Sequence, residues 1–230
     1  MESINEIQLK VLSKLLFSPK ARFKELNTDK LSTDNFSFYI RSLIKSGLIK
    51  KEGYFYSLTT KGKMTAGKID TDNHTVEKQP KVSIIIIPHK KIGKKDLFLV
   101  QERRKEPYFG YWGFMTGKIR FGQTINEVAQ RELMEETGIT GKFKFCYELH
   151  EMVYDKKTGE QLEDKFFHVI EAIDLEGELM AETKEGRNKF VSIAEFRKMR
   201  PKYHNEDDIL AWFLKRDFKF KEEKYYIDRF

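Results

Sequence analysis

The sequence is poor in the features that mark secreted and membrane proteins. It has one cysteine among 230 residues, Cys146, which excludes an intrachain disulfide framework and is typical of a reducing compartment. Apolar runs such as Ile84–Ile87 are far shorter than the ~20 residues of a membrane-spanning helix. The segment Met1–Glu6 lacks the basic region and apolar core of a signal peptide. We therefore expect a cytoplasmic protein with no membrane partner.

Charge, by contrast, is abundant and unevenly placed. The net charge is +7, and residues 37–68 alone hold 7 Lys and Arg against 1 acidic residue. Such a cluster is either a solvated basic face or a surface that binds a polyanion. The five histidines are scattered, and none stands at zinc-ligand spacing from another histidine or from the cysteine.

The first seventy residues predict helices followed by a small hairpin. Apolar residues recur at helical spacing near the N-terminus, and Ser32 or Thr33 can cap a later helix that stops at Gly47. Two strand-like runs follow, Leu48–Lys51 and Tyr54–Leu58. The pattern predicts a small mixed domain.

The order of helices and hairpin, together with the sequences of Leu43–Ile49 and Tyr56–Gly62, resembles winged helix-turn-helix domains of prokaryotic regulators. The resemblance covers residues 4–69. In such domains the third helix enters the major groove and the hairpin contacts the DNA backbone. The resemblance implies duplex DNA as a partner. The residues it would use are Ser37, Arg41, Lys45, Lys50 and Lys51. The alternative is a dimerisation or protein-docking module, and Asp34 would repel phosphate.

The domain organisation follows from composition. Residues 1–70 form the winged-helix-like domain, residues 71–80 carry little apolar content and end in proline as a linker does, and residues 81–230 form the second domain. Strand-like segments around capped helices predict an α/β (α+β) sandwich for the second domain.

A segment of the second domain predicts a capped helix with three carboxylates on one face. Thr124 and Glu127 form a capping box, and Gly138 is placed to end the helix. The spacing i, i+3, i+4 brings three glutamates within about 100° of arc. These are Glu132, Glu135 and Glu136. Their repulsion calls for a basic neighbour such as Arg131 or for a bound cation; a solvated acidic face is the alternative.

The spacing around this helix resembles the Nudix box. Gly117 is followed by five residues and a position where an acid is expected, and seven residues later Arg131–Ile139 reads Arg-Glu-Leu-Met-Glu-Glu-Thr-Gly-Ile. The upstream Tyr111–Phe114 and the strand order also fit, so that the resemblance covers about residues 80–215. It implies a Nudix-type mixed-sheet α/β/α sandwich that hydrolyses nucleoside diphosphates linked to another moiety with Mg²⁺ or Mn²⁺.

The resemblance also implies roles for the box residues. Glu135 and Glu136 would bind the metal directly, and Glu132 would be a third ligand or the general base acting on water. Arg131 would orient a glutamate, and Gly117 would offer its carbonyl to the metal. The physical logic agrees, because an anionic diphosphate repels a nucleophile until cations neutralise its oxygens.

Two positions depart from the family pattern. Gln123 stands where an acid is expected; it can accept a hydrogen bond from Arg131 but cannot form an ion pair. Arg120 stands where an acid is common. Its positive charge either weakens the attraction of the site for a metal ion or binds a substrate phosphate. Because the Arg-Glu-x-x-Glu-Glu core is whole, we expect activity to be retained.

Further candidates for substrate binding lie outside the box. Trp112 could stack on a base, although such aromatics often belong to the core, and Glu182 or Glu185 could supply an additional glutamate from a later loop. The competing hypothesis for the whole chain is a ligand-sensing transcriptional regulator that uses the Nudix fold as its effector domain. Under both hypotheses the chain could form a homodimer.

Overall fold

The computed structural model describes residues 4–76 and 78–230. The chain divides between Lys78 and Gln79 into two compact units. Within the described ranges no helix is both long and apolar enough to cross a membrane.

The first unit combines short helices with two small antiparallel sheets. Its elements are α1 (Glu6–Phe17), β1 (Ala21–Arg22), α2 (Phe23–Leu26), α3 (Thr33–Lys45), β2 (Ile49–Glu52), β3 (Phe55–Leu58), α4 (Thr60–Ala66), β4 (Ile69–Asp70) and β5 (Thr75–Val76). Strands β1, β3 and β2 form one sheet in that order, and β4 pairs with β5.

Helix α3 forms as its sequence predicts. The Ser32 side chain accepts the Asn35 N–H, and Gly47 takes a left-handed φ of +70° beyond the helix end. Phe36 and Leu43 are buried. Ile44 is 39% exposed, because it lies about 80° around the helix from Phe36, at the edge of the apolar stripe.

The segment expected to be a linker contains part of a hairpin. Strands β4 and β5 pair antiparallel across a turn in which the Asp70 carboxylate accepts the N–H groups of Asp72 and Asn73. Aspartate favours turns for this reason, so a polar segment with little apolar content still forms a local structure.

The second unit contains a mixed sheet with three helices in its described part. Its elements are β6 (Lys81–Ile92), β7 (Lys95–Arg103), β8 (Trp112–Gly113), β9 (Met115–Lys118), α5 (Ile125–Thr137), β10 (Ile139–Asp155), β11 (Gln161–Gly177), β12 (Gly186–Ser192), α6 (Ile193–Lys198), α7 (Glu206–Leu214) and β13 (Lys221–Ile227). The strand order is β12-β7-β6-β11-β10-β13, with β8 beside β7 and β9 beside β6. The pairs β6–β11 and β10–β13 are parallel and the other pairs are antiparallel.

Helices cover the sheet on both faces, as the alternation along β6 shows. Ile84 and Ile86 pack in one apolar cluster with residues of α5, whereas Ile85 and Ile87 pack in another with residues of α6 and α7. This period of two is that of a strand buried on both faces. The predicted α/β/α sandwich with a mixed sheet is confirmed. Val82, near the start of β6, lies outside the core and is 45% exposed.

Candidate active site

Helix α5 is held at both ends by the predicted caps. The Thr124 hydroxyl accepts the Glu127 N–H at 3.3 Å, and the Glu127 carboxylate accepts the Thr124 N–H at 2.7 Å. Gly138 ends the helix in the left-handed conformation at φ +73°. Val128 and Leu133 are fully buried beneath the helix, which fixes the direction in which its opposite face points.

Arg131 lies at the centre of the charged face of α5. Its Nη1 donates to Glu132 Oε1 at 2.7 Å and reaches Glu135 Oε2 at 3.5 Å. Its Nη2 donates to the Lys118 carbonyl at 3.3 Å and to Gln123 Oε1 at 3.2 Å. The guanidinium therefore joins the helix to the loop that precedes it and partly neutralises two of the three glutamates.

Gln123 holds that loop from its other side. Its side-chain oxygen also accepts the Arg120 N–H at 3.3 Å, while its own N–H donates to the Arg120 carbonyl at 3.0 Å. The amide thus accepts a hydrogen bond from Arg131, as the sequence suggested, but it supplies no negative charge beside the guanidinium.

Gly117 lies against the side chain of Glu132. A Cβ built on Gly117 would lie 2.7 Å from Glu132 Cδ and closer still to Cγ. Glycine is therefore required by the close approach of β9 to α5 at this point, and the approach brings the Gly117 backbone and the Glu132 carboxylate together.

Glu136 is the most buried of the three glutamates, at 8% exposure. Burial and the neighbouring Glu132 charge raise its pKa to about 7, against the effects of a Gln101 hydrogen bond, Lys105 and Arg103. Its negative charge is therefore incompletely compensated by the protein alone.

These groups line one cleft of about 880 Å³ in the second unit. Of the residues proposed from the sequence, the cleft brings together Gly117, Arg120, Arg131, Glu132, Glu135, Glu136 and Glu185. Glu185 lies there paired with Lys105. Within residues 4–76 and 78–230, no three His, Cys, Asp or Glu side chains are already arranged to hold a metal ion, and Arg131 occupies part of the carboxylate face.

Two of the residues proposed from the sequence lie elsewhere. Trp112, expected near a base, is instead buried in the core, with the Lys189 ammonium 4.3 Å from its ring centre. Trp112 lies on β8, which pairs with β7, and its ring packs among apolar side chains. Glu182 does not line the cleft but pairs with Arg104 and Arg187 at 3.1 Å each.

The cleft also contains residues to which the sequence assigned no role. Two cations come from the end of β7 and the loop after it, and several polar groups come from the loop before α7 and from its first turn. The main ones are Arg103, Lys105, Glu151, Tyr203, His204 and Glu206. They are distant in sequence from the box, so spacing could not reveal them. The first turn of α7 holds three acidic residues, and the sequence does not single out Glu206 among them.

The basic residues of the first unit keep their predicted helix and hairpin positions. Arg41 and Lys45 are exposed on α3, and Arg41 Nε donates to the Ser37 carbonyl at 3.2 Å. On β2, Lys50 pairs with Glu52 at 2.6 Å, and the Lys51 ammonium lies 5.7 Å from the Tyr56 ring centre. The cations of α3 are thus more available to a ligand than Lys50.

Comparison with known proteins places the second unit among familiar structures. A family model described as NUDIX domain matches residues 77–213. A MutT protein from Bacillus halodurans has a TM-score of 0.54 at 22% identity, over 65% of this chain and 93% of its own. The NUDIX domain of Shewanella oneidensis NrtR, solved with ADP ribose, has a TM-score of 0.53 at 13% identity, over 69% and 99%.

A MutT protein from Methanosarcina mazei Go1 has a TM-score of 0.50 at 19% identity, over 62% of this chain and 99% of its own. No curated protein matches the sequence. At these identities the structural likenesses concern the fold.

Proposed function

This chain belongs to the NUDIX domain family, and from that premise we propose that its second unit is a Mg²⁺- or Mn²⁺-dependent pyrophosphohydrolase that cleaves a nucleoside diphosphate linked to another moiety. The observation that carries the proposal is the cleft in which Glu132, Glu135, Glu136 and Gly117 meet a set of cationic side chains. A diphosphate needs both kinds of group, carboxylates to hold its metal and cations to hold its oxygens.

The donor set fits a hard divalent cation. Carboxylate and carbonyl oxygens are its preferred ligands, and Glu136 has a buried charge that the protein only partly compensates. Glu135 is 57% exposed at its side chain, and only a long contact of 3.5 Å joins its carboxylate to Arg131, so that it can turn toward an ion. Glu132, Glu135, Glu136 and the Gly117 carbonyl would hold the metal, which when bound would neutralise phosphate oxygens and acidify a water molecule.

The remaining residues have roles that follow from their charge and position. Arg103, Lys105 and Arg120 line the cleft with free or partly paired cationic groups and would bind the phosphate oxygens. Arg131 holds Glu132 at 2.7 Å and so would orient that carboxylate, which acts as a further ligand or as the base that takes a proton from water. Arg131 and Glu132 are both held in place because the opposite face of α5 is buried against the sheet.

The test is hydrolysis of a panel of ADP-sugars, dinucleoside polyphosphates and nucleoside triphosphates, with and without Mg²⁺, followed by mass spectrometry. We expect Mg²⁺-dependent products from at least one compound and a loss of turnover of at least a hundredfold in Glu135→Gln plus Glu136→Gln. Glu182→Gln is the matched control, because Glu182 lies outside the cleft. No turnover across the panel, or turnover that the double variant leaves intact, would overturn the proposal.

A second candidate, a ligand-sensing regulator that binds duplex DNA, is favoured by one observation. Arg41 and Lys45 stand four residues apart and are exposed on α3, which places both cations on one helix face. The order of three helices and a β2–β3 hairpin in the first unit supports a winged-helix interpretation. The second unit, with its NUDIX fold, would then sense a nucleotide-like ligand.

The regulator is tested with a pool of random-sequence 30-base-pair duplexes at several salt concentrations. If α3 contacts phosphates, Arg41→Ala and Lys45→Ala each reduce the slope of log affinity against log salt by about 1. Lys14→Ala, which removes an exposed cation from α1, should leave the slope unchanged. Equal slopes in all four proteins would argue against groove contact by α3.

A further inference from the structure

A pair of side-chain amides outside the cleft holds the last turn of α5. Asn188 on β12 is 4% exposed. Its Nδ2 donates to the Glu136 carbonyl at 2.7 Å and to the Met180 carbonyl at 2.9 Å. Both hydrogens of this amide are therefore used, and its oxygen is left as an acceptor. The contacts of Asn188 join the backbone at Glu136 to the loop before β12.

The Asn188 oxygen sets the direction of a second amide, that of Gln101. The two residues lie opposite each other in the β7–β12 pair, and Gln101 Nε2 donates to Asn188 Oδ1 at 3.2 Å. A reversed Gln101 amide would place its oxygen against the Asn188 oxygen. The Gln101 nitrogen is therefore held at this position, and its second hydrogen is available to another acceptor.

The Glu136 carboxylate is that acceptor. The Gln101 side chain hydrogen-bonds to the carboxyl group of Glu136, so that Glu136 is held at its carbonyl by Asn188 and at its carboxylate by Gln101. Glu136 lines the cleft, whereas neither amide does. The two amides thus support the carboxylate from outside the cleft and leave its cleft side open to a ligand.

The β7–β12 pair makes room for the Gln101 side chain through a glycine. A Cβ built on Gly186 would lie 2.5 Å from Gln101 Cδ. Any larger residue at this position of β12 would displace the amide, so the close approach of the Gln101 side chain to β12 requires glycine.

We propose that Gln101, oriented by Asn188, is a positioning residue for Glu136 as a metal ligand. The inference rests on the proposed function, because it takes Glu136 to bind the divalent cation. A donor that occupies part of the carboxylate from outside the cleft fixes the rotation of the group and directs its remaining lone pairs toward the cleft. Gln101 itself contacts neither the cation nor the substrate.

The first test is the binding of Mn²⁺ alone, measured from the electron paramagnetic resonance signal of the free ion. Gln101→Met keeps the length of the side chain and removes the donor. We expect its Mn²⁺ affinity to be about tenfold to a hundredfold lower, as is usual when a metal ligand loses its hydrogen-bond partner. The melting temperature should stay close to that of the wild type, because an unbranched side chain still fits beside Gly186.

Gln161→Met is the matched control. Gln161 Nε2 also donates to a carboxylate, that of Asp164 at 3.3 Å, and neither of these two residues lines the cleft. The variant loses the same kind of contact away from the box and should bind Mn²⁺ as the wild type does. An unchanged affinity in Gln101→Met, or an equal loss in both variants, would overturn the inference.

The side-chain amide signals of the wild-type protein provide a second measurement by nuclear magnetic resonance. A cation bound by Glu136 draws electron density from the carboxylate that accepts the Gln101 hydrogen. The Gln101 amide signals should therefore shift as Mg²⁺ is added, and the Gln161 amide signals should not. Gln101 signals that stay in place at saturating Mg²⁺ contradict the assignment, even if Gln101→Met does not fold.

The outcome is distinguishable from that of the proposed hydrolysis. Weaker Mn²⁺ binding in Gln101→Met without turnover of any compound in the panel supports the positioning role and overturns the hydrolase. Turnover together with equal Mn²⁺ affinities in the wild type and Gln101→Met does the reverse. A wild-type protein that binds no Mn²⁺ overturns the positioning role, and the substrate panel then decides on the enzyme by itself.

Discussion

Arg131 Nη2 and Gln123 Oε1 lie 3.2 Å apart, and this hydrogen bond connects helix α5 to the loop before it. The same guanidinium holds Glu132. Loop position and carboxylate orientation therefore depend on one side chain, and the strength of its contact with residue 123 affects both.

Gln123→Glu should increase activity. The change replaces a neutral acceptor with a carboxylate, so that the charged guanidinium of Arg131 gains an ion pair in addition to its hydrogen bond. A better-anchored Arg131 holds Glu132 more firmly, so we expect kcat/KM to rise by a few-fold, up to about tenfold. Gln130→Glu makes the same charge change on the exposed face of α5, away from the cleft, and should have no such effect. A decrease in Gln123→Glu, or an equal rise in the control, would contradict the role given to this contact.

Gly117→Ala should reduce activity far more than stability. The new Cβ would overlap Glu132, which has to turn away and leave both the Gly117 backbone and Arg131. We expect kcat/KM to fall at least tenfold, as a misplaced catalytic group does.

Gly122→Ala is the useful comparison for that loss. Gly122 has a φ of +88° and nothing within 4 Å of its built Cβ, so alanine there strains the backbone by about 1–2 kcal/mol without touching the site. Thermal melting and steady-state kinetics on both variants separate the two effects. If Gly122→Ala impairs catalysis as much as Gly117→Ala, contact with Glu132 is not the cause.

The sequence predicts best where the chain carries local signals. The limits and caps of α5 follow from Thr124, Glu127 and Gly138, and the one-sided placement of its glutamates follows from helical geometry. The burial of β6 on both faces also follows from a continuous apolar run. These features depend on residues a few positions apart.

Contacts between distant residues are not predictable in this way. The Phe114 N–H and Glu206 Oε1 are 92 residues apart in sequence, and only the return of α7 to the sheet brings them together. The sequence allows Trp112 to stack on a base or to pack in the core. It packs in the core, because its strand β8 pairs with β7. Strand β13 was missed because Lys221–Ile227 is rich in charge, and its pairing with β10 depends on partners elsewhere in the chain.

One of those partners places a titratable group beside β13. His150 on β10 lies between two acids, with Nδ1 2.9 Å from Glu222 of β13 and Nε2 2.9 Å from Asp164. Its ring stacks on Phe166 with 4.1 Å between centres. Burial lowers the pKa of His150, but the hydrogen bonds with Glu222 and Asp164 outweigh burial and the net shift is upward.

A folded-state pKa above the unfolded value of about 6.5 means that folding favours the protonated ring. This contribution to stability is fully present below about pH 6.5 and is lost as the pH rises through the folded pKa. We therefore expect the free energy of unfolding of the wild type to fall more steeply from pH 6 to pH 8 than that of His150→Gln. Glu222→Gln should flatten the dependence in part, because Asp164 remains. Denaturant titrations at several pH values measure the slopes. A slope in His150→Gln as steep as that of the wild type would show that the pH dependence comes from a group other than this imidazole.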